Sequence, residues 1–218
     1  MASYTFAEEK LYVFYPTTAR PQTVQETLQE FFSGISVTVF GRYNDFSEKM
    51  ATDPPDAVIT KPVFIEQHGD YSITLSGIRN GKSEETYVLL SIKDAIAPKA
   101  VNAEMVIGVI DVLGKAGMES FVNNLLSARP RLKRVTKVED LLPLLTFNMA
   151  AGILIEDVFV KYFKTTSHLE FGITPISGSK GGIIALGLKK GAKADKTVGA
   201  LKKADKKICA LFEVDVWR

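Results

Sequence analysis

Cysteine is almost missing from this chain of 218 residues: Cys209 stands alone. That excludes an internal disulfide framework and a thiolate-held metal cluster. Histidine is as scarce, and His68 and His168 lie in no HxH, HExxH or HxxxH arrangement, so no two imidazoles are set up for one metal ion. An excess of charge is lacking too. With 27 basic and 25 acidic side chains the net charge is +2, which gives no footing for nucleic acid or a lipid surface as partner. No run of about 18 apolar residues occurs, so no membrane-inserted helix is expected. The opening MASYTFAEEKLYVFYP has neither a basic n-region nor an apolar h-region. The catalytic signatures are absent as well: there is no GxSxG elbow, no GxGxxG after a strand and no GxxxxGK[ST] loop. Neither a catalytic group nor a cofactor is expected.

What is present is a globular composition, 46% hydrophobic and 24% charged, in a length that suits one large domain or two lobes of about 100 residues. The pattern from Lys10 onward is regular. Leu11 to Tyr15 reads as a buried strand, Thr23 to Phe32 as a helix opened by Pro21, Ile35 to Phe40 as a strand, Asp45 to Ala51 as a short helix, Ala57 to Thr60 as a strand and Lys61 to Gln67 as a helical turn. Successive strand–helix units imply parallel strands with right-handed crossovers. The rhythm then changes: Tyr71 to Ile78 and Glu85 to Lys93 flank Asn80-Gly81, a hairpin signal, and predict antiparallel strands. A second strand–helix series follows. Its predicted strands are Met105 to Ile110, Arg131 to Thr136 and Gly152 to Ile155, and its helices Met118 to Leu126, Val138 to Phe147 and Val158 to Phe163, with Gly114 and Gly117 bracketing a turn. Leu169 to Ile173 and Gly182 to Leu188 predict two last strands, and Asp195 to Phe212 one long helix. The reading is α/β with two similar lobes, the first made of 1–93 and 183–218 and the second of 94–182; the alternative is a single doubly wound sheet, whose alternation the hairpin near Asn80 interrupts. Residues 86–93 and 169–188 are then the crossings between them.

In open α/β sheets ligands bind beyond the carboxyl ends of the strands, where loops and helix N-termini present backbone donors. That rule selects Tyr15, Thr17 and Thr18 after the first strand, Arg42 and Tyr43 after the second, and Thr60 and Lys61 after the third. In the second series it selects Asp111, Gly114 and Lys115. Each has a plainer alternative: Thr17 or Thr18 as a loop or capping hydroxyl, Tyr15 as core, Arg42 as a surface ion. The pairs Glu139-Asp140 and Glu156-Asp157 precede predicted helices and read as partners of the positive helix end. Gly178-Ser179-Lys180-Gly181-Gly182 precedes a strand, not a helix, and reads as a flexible connector. From Lys189 to the end, nine basic residues face four acidic ones. Interleaved with apolar positions, they read as the solvated face of an amphipathic helix rather than a nucleic-acid surface.

Leu11-Tyr12-Val13-Phe14-Tyr15-Pro16, Val37-Thr38-Val39-Phe40-Gly41, the helix start at Asp45-Phe46 and Pro55-Asp56-Ala57-Val58-Ile59 resemble the first lobe of the extracytoplasmic solute-binding proteins of ABC transporters. The resemblance is to the phosphate- and phosphonate-binding type within the type II periplasmic-binding fold. Met105 to Asp111, Val135 to Leu142 and Ala150 to Leu154 are similar to its second lobe. The resemblance implies two lobes, each a parallel-rich sheet flanked by helices, and a monomer that closes on a small polar or anionic solute. It implies a membrane permease or a sensor protein as partner. It also implies a periplasmic or extracytoplasmic location if a leader has been removed, and a cytoplasmic one otherwise. The family's Ser/Thr cluster at the start of lobe two is replaced here by Asp111-Val112-Leu113-Gly114-Lys115-Ala116-Gly117. An anion is consistent with Thr17, Thr18, Arg42, Lys61 and Lys115; Asp111 equally suits an amine or a zwitterion. The alternatives from other classes are a small-metabolite enzyme on the same fold, drawing on Lys61, Lys137 or Asp111, and a ligand-less sensory or scaffold domain.

Overall fold

A computed structural model describes residues 9–218, without the side chains of 178–180, so the Met1-Ala2-Ser3 start lies outside the described residues. The chain divides into two compact units. Unit 1 holds the chain up to Tyr15, Ala19–Ser83 and Gly182–Arg218; unit 2 holds Pro16–Thr18 and Glu84–Gly181.

In unit 1, β1 (Glu9–Val13), α1 (Pro21–Phe31), β2 (Ile35–Val39), α2 (Tyr43–Thr52), β3 (Ala57–Thr60), α3 (Pro62–Gln67) and β4 (Tyr71–Ile78) follow one another as the pattern predicts. β1 pairs in parallel with β2 and β3. The chain then enters unit 2 with β5 (Glu84–Ile92), a 3-10 turn at Pro98–Ala100, β6 (Val106–Ile110), α4 (Gly114–Leu126), β7 (Arg131–Val135), α5 (Leu141–Thr146), β8 (Gly152–Glu156), α6 (Phe159–Thr166) and β9 (Phe171–Gly182). It returns to unit 1 with β10 (Ala185–Lys189), α7 (Asp195–Lys202), α8 (Lys206–Leu211) and β11 (Val216–Trp217). The sheet orders are β11-β4-β10-β3-β1-β2 and β7-β6-β8-β5-β9. Each sheet therefore carries three parallel strands in the order second, first, third. Beside the third lies one antiparallel strand: β10, from the last part of the chain, in unit 1, and β5, which opens the segment, in unit 2.

The structure differs from the sequence expectations at several points. The Asn80-Gly81 turn exists, both residues having positive φ (51° and 75°), but only Arg79 and Lys82 bridge across it. β4 and β5 go on to different sheets. β5 pairs with β8 from Tyr87↔Glu156 to Leu90↔Ile153, and Val88 and Leu90 lie in the unit 2 core. Thus the division falls at Ser83/Glu84, ten residues before the expected one. Gly114 and Gly117 lie inside α4 rather than bracketing a turn. The predicted helix from Val138 begins only at Leu141, after turns from Lys137 and Val138. The terminal helix is two helices, because the Asp205 carboxylate accepts the Ile208 N–H at 2.9 Å and starts α8 afresh. The glycine-rich stretch is part of β9 and is closely packed at its end. A Cβ on Gly181 would lie 2.5 Å from the Tyr87 ring, and one on Gly182 2.2 Å from Pro62 Cγ, so these glycines admit close backbone approach.

The two cores have different characters. Unit 1 buries Leu11, Val13, Val24, Leu28, Phe32, Ile59, Leu186 and Trp217 against one another. Beside them runs an aromatic series in which Phe46 stacks on Phe14 at 5.0 Å and meets Phe64 at 4.8 Å. Unit 2 is mainly aliphatic, built on Leu141, Leu144, Leu145, Ile153 and Ile155, with Phe159 and Phe163 from α6.

Candidate functional site

In unit 1 the three parallel strands deliver their carboxyl ends to the starts of α1, α2 and α3. None of these starts carries a side-chain cap, so their first N–H groups keep an unmet demand for acceptors. Thr60 ends β3 and Lys61 follows it, and both are buried, at 1% and 5% exposure. The Lys61 ammonium donates to the Ile183 carbonyl at 2.6 Å. Arg42 is exposed, with an extended backbone leading into α2. Tyr43 is half-buried, its ring 6.3 Å from both Phe14 and Phe64, so it ties the start of α2 to α3. Tyr15 is a structural pin: its hydroxyl donates to the Leu211 carbonyl at 2.7 Å and its ring lies 5.2 Å from Phe212. Thr17 is half-buried and Thr18 exposed, and both group with unit 2 rather than with β1.

In unit 2 the expected acidic contact is already committed. One Asp111 oxygen accepts the Gly114 N–H at 2.8 Å and the other pairs with the Arg134 guanidinium on β7. With Gly114 at φ +70°, this brace shapes the entry to α4 and leaves Lys115 exposed on its first turn. Asp111 and Gly114 are brought together as a turn.

Beside the brace, the carboxyl ends of β6 and β8 open into a small notch with room for about 30 Å³, lined by Pro16, Val109, Val112, Met118, Phe121 and Leu154, among others. Its polar groups are Tyr87 and Glu156. Glu156 is not a helix cap: it ends β8 and is buried at 7% exposure. The Tyr87 hydroxyl donates to it at 3.5 Å, and the Tyr87 ring meets Phe121 edge-on at 5.4 Å. Burial first, then the Glu156 and Glu85 carboxylates, raise the Tyr87 phenol well above its ordinary range. Tyr87 therefore stays a neutral donor. Reading the sequence by strand ends located Glu156 but assigned it to a helix, and missed Tyr87, which sits on the antiparallel strand β5. Only the pairing of β5 with β8 brings the two together.

Chemically, the unit 1 edge offers cations, a hydroxyl and main-chain N–H groups, while the unit 2 edge offers an apolar recess with a carboxylate–phenol pair. Among the described residues no three His, Cys, Asp or Glu side chains converge to hold a metal ion. No described helix is long and apolar enough to cross a membrane.

No family model matches the chain, and no curated protein matches it in sequence. Solved structures do match. A binding-protein component of an ABC phosphonate transporter from Pseudomonas aeruginosa is similar with a TM-score of 0.68 at 13% identity, over 97% of this chain and 82% of that one. An amino acid ABC transporter substrate-binding protein from Streptococcus pneumoniae, bound to L-arginine, is similar with a TM-score of 0.62 at 14% identity, over 94% and 93%. The periplasmic VFT2 domain of Bordetella pertussis BvgS gives 0.58 at 11%, over 94% and 92%. The fold is thus that of the two-lobed α/β periplasmic-binding proteins of type II, which is also what the repeated strand order describes.

Proposed function

We propose that this chain is a solute-binding protein that takes a small polar solute on the carboxyl edges of its two sheets and closes on it. The observation that supports this best is that both sheets repeat one order, second, first and third parallel strand and then an antiparallel one. In this reading each edge, with its own loops, contributes to the one ligand. Contacts made only on closure would then bias the closed state.

The solute class in this reading is anionic, of the phosphate or phosphonate kind or a carboxylate. Arg42, the buried Lys61, Thr60 and the uncapped starts of α1 and α2 favour an anionic group on unit 1. Thr17, Thr18 and Lys115 belong to the same proposed contact set from unit 2. The Asp111–Arg134 pair removes the main argument for an amine. The 30 Å³ notch suits a methyl-sized apolar group. In this role the chain works as a monomer outside the cytoplasm, delivering to a membrane permease or signalling to a sensor protein.

Thermal unfolding measured against phosphate, phosphonates, organic acids, amino acids, polyamines and sugars tests the reading. A true ligand at about 100 times its dissociation constant adds about 2.7 kcal/mol, a shift of several degrees. Anions alone are expected to shift the midpoint, and Arg42→Ala and Thr17→Ala to weaken that ligand about tenfold each. Shifts confined to polyamines or sugars overturn the anion. No shift from any class overturns solute binding in favour of a scaffold, and turnover of a bound compound, followed by NMR, in favour of an enzyme.

A further inference from the structure

The outer strands of the two sheets are finished differently. In unit 1, β2 is the edge, and α1 seals it. The Gln25 amide donates to the Val37 carbonyl and accepts the Val39 N–H, both at 2.7 Å. Gln29 donates to the Ile35 carbonyl at 3.0 Å and accepts the Val37 N–H at 3.2 Å. In unit 2 the corresponding edge is β7. The Arg131 N–H and the Val135 carbonyl face inward, bonding to the Met105 carbonyl and the Asp111 N–H, so strand alternation turns the N–H and C=O groups of Leu132 and Arg134 outward. No side chain among the described residues seals them. A bare edge of this kind is a template for another strand.

Charge and shape select what that strand is. Residues 129–137 contain Arg129, Arg131, Lys133, Arg134 and Lys137 and no acidic residue. Arg129 and Arg131 form no ion pair with any described residue, and the Lys133 ammonium lies 3.4 Å from the Met149 sulfur. Beside it, Phe147 is 72% exposed and Met149 38%. Asn148, at φ +52°, ends α5 with the Met149 and Ala150 N–H groups both donated to the Leu144 carbonyl, which holds these two apolar side chains outward. Between this turn and residues 102–106 runs an open groove of about 500 Å³ with Asn102, Glu104 and Asn148 among its polar walls. The groove carries one carboxylate, Glu104, and no cation, so an acidic segment is directed to β7 itself, and an edge of outward N–H and C=O groups fits a polypeptide rather than a flat anionic lipid surface.

We propose that β7 and the Phe147–Met149 knob form a docking surface for an extended acidic segment of a partner protein. The segment adds to β7 as an outer strand, its carboxylates meeting Arg129, Arg131 and Lys133 and an apolar side chain meeting Phe147. The Phe147–Met149 knob and the Arg129–Arg131 end of β7 lie at the amino ends of β6 and β8, and the inference stands independently of the solute.

Fluorescence anisotropy of the whole protein with a labelled peptide of alternating Glu and Val, about eight residues long, tests it, with an alternating Lys and Val peptide as control. The acidic peptide is expected to bind, more weakly at high salt, and the basic one not. Phe147→Ser and the double change Arg131→Glu/Lys133→Glu each weaken binding about tenfold or more. Arg131→Gln/Lys133→Gln serves if the reversal unfolds by circular dichroism. N-methylation of alternate peptide bonds abolishes binding, because strand addition needs the peptide's own N–H groups. Equal binding by the N-methylated peptide, equal binding to the charge-reversed protein, or no binding at millimolar peptide overturns the proposal. So does sedimentation with phosphatidylserine vesicles without peptide binding, which would make the surface a lipid contact.

Discussion

Units 1 and 2 share a strand order but almost nothing else, and the contrast separates what builds this fold from what gives it chemistry. Both sheets contain three strand–helix steps and an antiparallel strand beside the third, to which unit 1 adds β4 and β11 and unit 2 adds β9. Buried β-branched and aliphatic runs with right-handed crossovers supply these whatever the identities of the residues. At the carboxyl edges the identities diverge: Thr60 and Lys61 on unit 1, Tyr87 and Glu156 on unit 2. At the outer edges they diverge again, with β2 sealed by two glutamines and β7 left open with cations.

The most damaging way to test the equivalence of the two cores is to empty one site in each. Phe46 and Phe163 are both fully buried, so Phe46→Ala and Phe163→Ala are each expected to cost about 3–5 kcal/mol in urea unfolding. A loss below about 1 kcal/mol in either would show that its unit is not closed around that ring. Gly172→Ala strikes unit 2 alone. A Cβ there meets backbone, 2.4 Å from the Ala95 nitrogen, so β9 must move and about 1–3 kcal/mol is lost. An unchanged urea midpoint would mean that β9 does not lie against residues 94–95. Gln25→Ala strikes unit 1 alone, removing two hydrogen bonds from the β2 edge at about 1 kcal/mol each. Its sharper readout is association at raised concentration, by light scattering. Opening β2 should increase it, and no increase would deny that the glutamine seal matters.

Strand and helix positions were legible wherever a period is local. β3 and β4 coincide with their apolar runs, and Pro21 and Pro62 mark the first turns of α1 and α3. What the sequence hid is non-local. Asn80-Gly81 announces a turn, but no nearby residue says that the strands on either side join different sheets. Gly181 and Gly182 resemble a connector until Tyr87 and Pro62 are found against them. Thr60, Lys61, Arg42 and Asp111 do stand at the strand ends where the pattern puts them. That Asp111 is spent on Arg134, more than twenty positions away, depends on the β6–β7 register.

Asp111 is therefore the residue where a positioning role and a ligand role give different results. Asp111→Ala is expected to cost about 1 kcal/mol, the worth of an N–H acceptor at a helix entry, with the brace to Arg134 lost. Arg134→Ala should lower stability in the same direction, and the double variant should cost less than the two singles together. Additive effects in this cycle would show that the pair is not coupled.

The smallest effect expected at neutral pH lies at the opposite, amino end of unit 1, where Asp53 pairs with Lys10 and Lys49 and accepts from the Tyr12 hydroxyl at 3.2 Å. The hydrogen bonds from Lys10 and then Lys49 hold the Asp53 carboxyl well below the usual carboxylate range. Its contribution is thus fully present above the unfolded value of about 3.9 and is lost as pH falls through the lower folded value. Tyr12 behaves in the opposite sense. Burial, helped by Asp53, pushes its phenol up to about 12, so its contribution is present below about pH 10 and is lost as the pH rises towards 12. Asp53→Asn should therefore change little at pH 7, because its partners remain solvated at an exposed site, yet flatten the acid limb of the stability curve below about pH 4. Tyr12→Phe should leave that acid limb nearly intact and flatten the alkaline one. An acid limb that survives Asp53→Asn unchanged would place the acid sensitivity outside the Lys10–Asp53–Lys49 cluster.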